Sequence, residues 1–230
     1  MSLPSLHNCP APAKLNLFLH VTGRRVDGYH LLQTVFQLIA YGDTLHFDLR
    51  DDRHIQRLTD LPGIPPEHDL CVRAARLLQT YVTVGQQVGV DIRIDKRLPQ
   101  GGGLGGGSSD AATTLLALDH LWQVGLTRPQ LMALGLQLGA DVPFFLCGGN
   151  AFAEGIGEQL QLIKTPSCWF VVIEPGVSIP TAQIFAAPEL TRNSKPVKMS
   201  DFSGEVGFST LADWKNDLQA VASKQFPVVA

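Results

Sequence analysis

Residues 99–110 form the most chemically informative segment of the sequence. Six of the seven residues at positions 101–107 are glycine, and Ser108, Ser109 and Asp110 follow them directly. Glycine allows positive φ angles and lets backbone N–H groups approach a ligand without obstruction by a Cβ atom. Because an apolar helical pattern follows, the loop and the helix N-terminus together predict an anion-binding cradle. The serine hydroxyls could bind phosphate oxygens or a metal ion.

Two other phosphate-binding loops do not fit this segment. It lacks the Gly-Lys-Ser/Thr ending of a Walker loop, and the surrounding pattern does not provide the βαβ unit that a dinucleotide fingerprint requires. A flexible glycine–serine linker is the plain structural alternative. The strand pattern before the glycines and the tightly apolar helical pattern after them favour the phosphate-binding interpretation.

Two charged residues stand inside apolar stretches. Asp141 lies within residues 139–146, and Lys14 lies within the first strand pattern. A charge in such surroundings is costly unless it is paired or hydrogen-bonded. The two could form a proton-handling pair, in which the carboxylate takes a hydroxyl proton and the cation orients both groups. On spacing alone, a helix cap before Pro143 and a surface lysine are at least equally good interpretations.

A third group of residues could bind a flat polar ring. Tyr29 and His30 follow a turn signal at Asp27 and Gly28. The phenol ring can stack, and the two imidazole nitrogens can donate and accept hydrogen bonds. Phe185 could face the same ligand. The alternatives are an ordinary exposed histidine on a turn and a phenylalanine of the core.

The elements that position these residues are a mixture of strands and helices. Alternation predicts strands over residues 13–21, 31–49 (broken by a turn at 41–43), 88–94, 150–153 and 168–174. Helical spacing predicts helices over residues 69–81, 111–122, 127–138, 180–187 and 208–225, with Asp69 and Thr127 as N-caps. Residues 51–66 are predicted to be loop. Since strict βαβ alternation is absent, the sequence favours an α+β fold over a doubly wound parallel sheet.

The composition excludes several classes of protein. The chain has 230 residues, of which 45% are apolar, and a formal net charge of −3. These values argue against a disordered chain, a nucleic-acid-binding protein and a membrane-surface protein. No apolar run has the ~18 residues of a membrane span, and the N-terminus lacks a secretory pattern. Four cysteines and seven histidines are dispersed without ligand spacing. We therefore expect a cytoplasmic protein with reduced thiols and no metal site built from its side chains.

Four segments, taken together and in order, resemble the GHMP small-molecule kinase superfamily. They are residues 12–17, 27–30, 101–110 and 139–143. The glycine run is typical of the superfamily. The first two segments and residues 175–181 are typical of one member, whose acceptor is a cytidine-diphosphate-linked methylerythritol. The resemblance implies the GHMP kinase fold, with a ribosomal-protein-S5-like nucleotide-binding domain over residues 1–155 and a ferredoxin-like α/β domain over residues 156–230.

The resemblance also implies an activity. ATP, with Mg²⁺, would phosphorylate the 2-hydroxyl of 4-(cytidine 5′-diphospho)-2-C-methyl-D-erythritol in the non-mevalonate route to isopentenyl diphosphate. Asp141 would activate the hydroxyl and Lys14 would orient Asp141 and stabilise charge. The substrate would be held by Asn16, Tyr29, His30, Thr181 and Phe185, with the two aromatic rings on either side of the cytosine and His30 at its edge. ATP would be bound by Pro99, Gln100, Gly101, Gly102, Gly103, Leu104, Gly105, Gly106, Gly107, Ser108, Ser109, Lys96 and Asp69.

One motif of the family is missing from this sequence. Family members carry a third glycine-rich motif near the C-terminus, and no such motif follows Gly176 here. We therefore expect a truncated second domain that lacks its last strands and helices, and a product of this length that is poorly stable or weakly active. Two alternatives stay open, namely another GHMP kinase (for mevalonate, homoserine or a sugar) and a non-catalytic nucleotide-binding remnant. We expect a monomer or a weak homodimer.

Overall fold

The computed structural model describes residues 4–83, 88–198 and 215–230. The chain divides into two compact units that interleave along the sequence. The first comprises residues 1–13, 39–98 and 105–148, and the second comprises residues 14–38, 99–104 and 149–230. Strands β1 (Ser5–Arg24) and β2 (His30–Arg50) contribute residues to both. This division differs from the linear boundary at residue 155, which stays a prediction.

The first unit combines a small sheet with four helices. The second half of β2 pairs antiparallel with β4 (Gly89–Asp95), and β4 pairs parallel with β3 (Ile55–Arg57). The helices are α1 (Leu70–Gln79), α2 (Gly106–Leu121), α3 (Arg128–Leu138) and α4 (Val142–Cys147). Helix α2 contacts each of the other three. The largest fully buried side chains of this unit are Leu45, Phe47, Leu78, Ile92, Leu115, Leu118, Phe144 and Leu146.

Two helices of the first unit begin where the sequence predicts. The Oδ1 atom of Asp69 accepts hydrogen bonds from the N–H groups of Cys71 and Val72, at 2.8 and 3.1 Å. At the start of α3, the Oε1 atom of Gln130 accepts from the N–H and the hydroxyl of Thr127, at 2.8 and 2.7 Å. Such bonds satisfy polar groups that a helix N-terminus leaves without an intrahelical partner. The predicted N-cap positions are thus confirmed.

The predicted turn at residues 41–43 is wrong, because β2 runs through it without a break. A Cβ atom at Gly42 would lie 2.1 Å from the carbonyl oxygen of Ala11. Glycine is therefore needed at this position because the backbone of β1 passes very close to β2. A close approach of two strands and a turn both favour glycine, so the residue type alone did not distinguish them.

Three further predictions about elements need correction. Residues 51–66, predicted to be loop, contain the short strand β3. The helix predicted to begin at residue 111 begins at Gly106, inside the glycine run. Residues 168–174 form no strand in the described structure, and the side chains of Trp169, Val171 and Ile173 are at least 84% exposed. The backbone N–H and C=O groups of a strand need hydrogen-bond partners on a neighbouring strand. The alternation of apolar residues does not show whether such a strand is present.

The second unit contains a β-hairpin and two short helices. The first half of β2 pairs antiparallel with β5 (Ala151–Glu154), and β5 pairs antiparallel with β6 (Gln159–Leu162). Buried Phe18, Val35 and Phe152 form one apolar cluster. Helices α5 (Thr181–Ala186) and α6 (Gln219–Gln225) contribute to a second cluster, made of Ile184, Ala187, Leu190 and Val221. Of the helix predicted over residues 208–225, residues 208–214 lie outside the described residues.

None of the helices in the described ranges combines the length and the apolar character that crossing a bilayer requires.

Candidate active site

The glycine run forms a loop whose conformation depends on glycine at three alternate positions. Gly101, Gly103 and Gly105 have φ angles of +72°, +73° and +73°. Gly105 occupies the N-cap position of α2, so this 16-residue helix begins inside the run. Alternating left-handed residues bring successive N–H groups together, and the helix adds its own free N–H groups and its dipole. The backbone thus has the features of the predicted phosphate cradle.

A buried ion-pair cluster anchors the residues that come just before the glycines. The Nζ atom of Lys96 donates to Oδ2 of Asp43 at 2.6 Å and to Oδ2 of Asp110 at 2.7 Å. The other oxygen of Asp43 accepts from the backbone N–H groups of Arg97 and Leu98, at 2.6 and 2.8 Å. The side chains of Asp43 and Asp110 are 0% and 4% exposed. This cluster fixes the direction in which the chain leaves β4.

Burial acts in opposite directions on the pKa values of Asp110 and Lys96. Burial raises the pKa of Asp110 to about 7, although Lys96 acts in the opposite direction. Burial alone lowers the pKa of Lys96, but Asp110 and Asp43 outweigh that effect and raise it. A Cβ atom at Gly106 would lie 3.3 Å from Nζ of Lys96. Lys96 therefore places a stable positive charge against the first turn of α2.

Lys14 is buried in the second unit and is held in a defined position. Its Nζ atom donates to Oδ1 of Asn16 at 2.6 Å and lies 5.3 Å from the centroid of the Phe36 ring. The Nδ2 atom of Asn16 in turn donates to the hydroxyl of Thr34 at 2.9 Å. The backbone N–H of Lys14 donates to the carbonyl of Leu104 at 2.9 Å. The structure therefore brings together the predicted catalytic lysine, a predicted substrate residue and part of the glycine run.

Asp141 occupies the N-cap position of α4 in the first unit. It is half-buried, and its side chain makes no capping hydrogen bond to that helix. Asp141 therefore occupies the cap position that the alternative interpretation gives it, without a side-chain capping bond. Lys14 belongs to the other unit, and the pairing of Lys14 with Asp141 stays a prediction.

Two of the residues predicted to bind the nucleobase lie together in the second unit. The rings of His30 and Phe185 are stacked, with centroids 5.0 Å apart and an interplanar angle of 26°. The Nε atom of Arg192 donates to Nε2 of His30 at 3.0 Å. The side chain of Tyr29 is 60% exposed. The predicted sandwich of a cytosine between Tyr29 and Phe185 stays a prediction.

A cavity of about 460 Å³ in the second unit joins the glycine run to a predicted substrate residue. Pro99 and residues 101–104 form one wall, and Thr181, Ile179 and Ile184 contribute to another. This volume falls within the range of small-molecule sites, which combine apolar walls with a few polar groups.

Asp69, predicted to contact the nucleotide, is buried and bonded within the first unit. In addition to capping α1, it accepts a hydrogen bond from Nη1 of Arg57 through Oδ2, at 3.0 Å. Their side chains are 6% and 4% exposed. Both carboxylate oxygens of Asp69 therefore have partners inside the protein, and a nucleotide contact stays a prediction.

Sequence reasoning missed two residues of the site. Asp43 was attributed to a turn, and Arg192 lies in a segment that was not assigned a role. Asp43 lies 53 positions from Lys96, and Arg192 lies 162 positions from His30. No local pattern in the sequence connects such pairs.

Comparisons with known proteins agree with this architecture. Residues 69–149 match the family described as GHMP kinases N terminal domain. The chain is 69% identical over 230 residues to the 4-diphosphocytidyl-2-C-methyl-D-erythritol kinase of Janthinobacterium sp. (strain Marseille), a match that covers 98% of this chain and 78% of the relative. It is 59% identical over 227 residues to the protein of the same name from Aromatoleum aromaticum, with coverages of 99% and 77%.

A solved structure supports the same family assignment. The crystal structure of a 4-(cytidine 5′-diphospho)-2C-methyl-D-erythritol kinase shares 36% identity with this chain at a TM-score of 0.72, and the match covers 97% of this chain and 79% of the other. The expected α+β GHMP kinase fold is confirmed. The chain belongs to the 4-diphosphocytidyl-2-C-methyl-D-erythritol kinase family.

Proposed function

We propose that the chain transfers the γ-phosphoryl group of ATP to the 2-hydroxyl of 4-(cytidine 5′-diphospho)-2-C-methyl-D-erythritol. The observation that carries this proposal is the glycine run, with three left-handed glycines that lead into the N-terminus of α2. Phosphoryl transfer depends mainly on positioning and on stabilising charge on the transferred oxygens. The names of the close relatives support the choice of acceptor.

In the proposed reaction, Asp141 accepts the proton of the acceptor hydroxyl. Positioned general bases contribute about 10²–10⁴-fold to a rate. Lys14 supplies a positive charge that Asn16 holds in place at 2.6 Å. Such a fixed charge stabilises the negative charge that develops during transfer at little cost of reorganisation.

The proposal includes Mg²⁺. This ion usually keeps several waters and takes phosphate oxygens of the substrate as ligands, so it needs no dedicated protein cage. In the described residues, no group of three or more His, Cys, Asp or Glu side chains could hold a metal ion. The hydroxyl of Ser109 is buried at the start of α2 and has no hydrogen-bond partner among the described residues. It fits a role as a ligand of the ion or of a phosphate oxygen, and a bound Mg²⁺ would neutralise charge on the β- and γ-phosphates.

The proposal also covers the cellular location, the oligomeric state and the binding partners of the protein. We infer a cytoplasmic enzyme that acts as a monomer or weak homodimer and binds neither nucleic acid nor membranes. The net charge of −3 and the absence of clustered cysteines in the sequence support this inference.

A coupled assay of ADP release tests the proposed function against the two alternatives. The purified chain is given ATP and Mg²⁺ with one acceptor at a time, namely the cytidine-diphosphate methylerythritol, mevalonate, homoserine or galactose. Turnover with the first acceptor alone supports the proposal. Turnover with another acceptor indicates a different GHMP activity, and ATP binding without any turnover indicates a nucleotide-binding remnant.

The proposed role of Asp141 has its own test. The Asp141→Asn variant keeps the shape of the side chain but cannot accept the proton. We expect its kcat to fall about 10²–10⁴-fold, with unchanged affinity for ATP in a binding titration. A kcat equal to that of the wild type would rule out Asp141 as the base.

A further inference from the structure

The hydrogen bond between Arg192 and His30 fixes the protonation state of the imidazole ring. A guanidinium group carries only donors, so the Nε2 atom of His30 must accept the bond from Nε of Arg192 at 3.0 Å. A ring nitrogen that accepts carries no proton. A neutral imidazole with Nε2 unprotonated has its proton on Nδ1. His30 is therefore assigned as the Nδ1–H tautomer from its hydrogen-bond partner.

Arg192 itself is held firmly by the backbone next to α5. Its Nη2 atom donates to the carbonyls of Ala187 and Phe185 at 2.6 and 3.0 Å, and Nη1 donates to the carbonyl of Leu190 at 3.1 Å. The planar fork of an arginine loses little freedom when several of its donors are engaged. The same guanidinium therefore connects the ring of His30 to the backbone of Phe185, against which that ring stacks.

The charges around His30 favour the same neutral form. Burial lowers the pKa of the imidazole, and the charges of Arg192 and Arg24 lower it further. A protonated ring would also lose the acceptor that Arg192 requires. His30 is thus a neutral ring that presents one donor, the Nδ1–H group, on the side away from Arg192.

We propose that Arg192 is a positioning residue that holds His30 as the Nδ1–H tautomer and thereby makes the site select cytosine over uracil. The proposal rests on the proposed function, because it takes the nucleobase of the acceptor as the group that His30 contacts. The N3 atom of cytosine is an acceptor, whereas N3 of uracil carries a hydrogen. A fixed Nδ1–H donor bonds to the first and is repelled by the second. Without Arg192 the ring can adopt the other tautomer, in which Nδ1 accepts from uracil.

The test compares Arg192→Met with a matched control, Arg24→Met. Both variants remove one positive charge near His30, but the guanidinium Nε of Arg24 donates to the carbonyl of Gly28 at 3.2 Å, not to the ring. Nitrogen-15 NMR of the histidine rings in ligand-free protein reports the tautomer. Calorimetric titration with cytidine 5′-diphosphate and uridine 5′-diphosphate reports selectivity without requiring turnover.

We expect the Nδ1–H tautomer in the wild type and in Arg24→Met, and a shift toward Nε2–H in Arg192→Met. The preference for the cytidine ligand should fall about tenfold in Arg192→Met, because the donor that bonds to N3 of cytosine is no longer fixed and the ring can accept from uracil instead. An Nε2–H ring in the wild type would overturn the proposal, and so would an unchanged preference in Arg192→Met.

A second variant separates selection by tautomer from a purely structural effect. A leucine at position 30 has no ring nitrogen, so no tautomer can contribute to the choice of base. In the His30→Leu background, adding Arg192→Met should therefore leave the remaining ratio of cytidine to uridine affinity unchanged. A fall of the same size in both backgrounds would show that Arg192 acts only by supporting α5. If the chain shows the tautomer and the ligand preference but phosphorylates no cytidine substrate, the proposed function fails while the role of Arg192 is supported.

Discussion

The left-handed glycines of the phosphate loop allow a quantitative test of the site. Gly101 and Gly103 have nearly the same φ angle, +72° and +73°, but they differ in surroundings. A Cβ atom at Gly103 would meet nothing within 4 Å, whereas one at Gly101 would lie 2.1 Å from the hydroxyl oxygen of Ser178. Alanine at either position incurs the same backbone strain, and alanine at Gly101 also displaces a neighbour.

The expected losses of ATP affinity follow from the backbone strain and from the contact with Ser178. A left-handed conformation costs an L-residue about 1–2 kcal/mol. Because Gly101 and Gly103 are exposed, the free loop can relax, and the strain then reappears when ATP restores the binding conformation. At 1.4 kcal/mol per factor of ten, Gly103→Ala should weaken ATP binding about 5- to 30-fold. The neighbour at Gly101 is the hydroxyl of the exposed Ser178, so a torsional adjustment that costs about 0.5–1.5 kcal/mol relieves the contact. Gly101→Ala should therefore weaken ATP binding by a further factor of about 2 to 12.

The assay is calorimetric titration with a non-hydrolysable ATP analogue, accompanied by thermal melts that check folding. Ser178→Gly removes the neighbour, so in the Gly101→Ala background it should restore affinity to the level of Gly103→Ala. Ser178→Gly alone serves as the control. Wild-type affinity in Gly103→Ala would refute the claim that this loop conformation binds ATP. Equal affinities in Gly101→Ala and Gly103→Ala would refute the steric part of the reasoning.

Two further predictions concern buried charges of the first unit. Asp69→Ala leaves the buried Arg57 guanidinium without its carboxylate and should lower the free energy of unfolding by about 3–5 kcal/mol. Asp69→Asn retains an acceptor for the α1 cap, so its free energy of unfolding should fall less. Equal losses of the two variants in urea denaturation would contradict this prediction. The pKa of Asp110 in the folded protein, about 7, is above its usual value of 3.8. Its contribution to stability is therefore present at low pH and is lost as pH rises through about 7. Asp110→Asn removes this loss, so the stability of the variant relative to the wild type should rise between about pH 4 and pH 7. A pH-independent difference in urea denaturation would contradict the assignment.

Local signals in the sequence were sufficient for the helices of the first unit. Asp69 and Thr127 mark helix starts through hydrogen bonds to groups within three positions, and such bonds are visible in the residue order. The errors involve partners far along the chain. Gly42 is determined by Ala11, and the short strand β3 exists because Ile55 pairs with Val90.

The same contrast between partners close in sequence and partners far along the chain applies to the candidate site. The glycine run was evident from composition because left-handed backbone requires glycine nearly regardless of tertiary context. The carboxylate that anchors Lys96 and the guanidinium that orients His30 are supplied by Asp43 and Arg192, which only the fold brings near. Charged residues of this kind look like ordinary surface residues in a single sequence. The sequence therefore predicted the ligand-binding backbone but missed the side chains that support it.

The most direct test of the central claim determines which hydroxyl of the acceptor receives the phosphoryl group. The carbon at position 2 carries the methyl branch, so its hydroxyl is tertiary and no hydrogen lies three bonds from a phosphorus attached there. In a proton-coupled phosphorus-31 NMR spectrum of the reaction mixture, we predict a new monoester signal without proton splitting, formed in proportion to ADP. A triplet from the primary hydroxyl, a doublet from the secondary hydroxyl, or ADP without any phosphorylated acceptor would contradict the account.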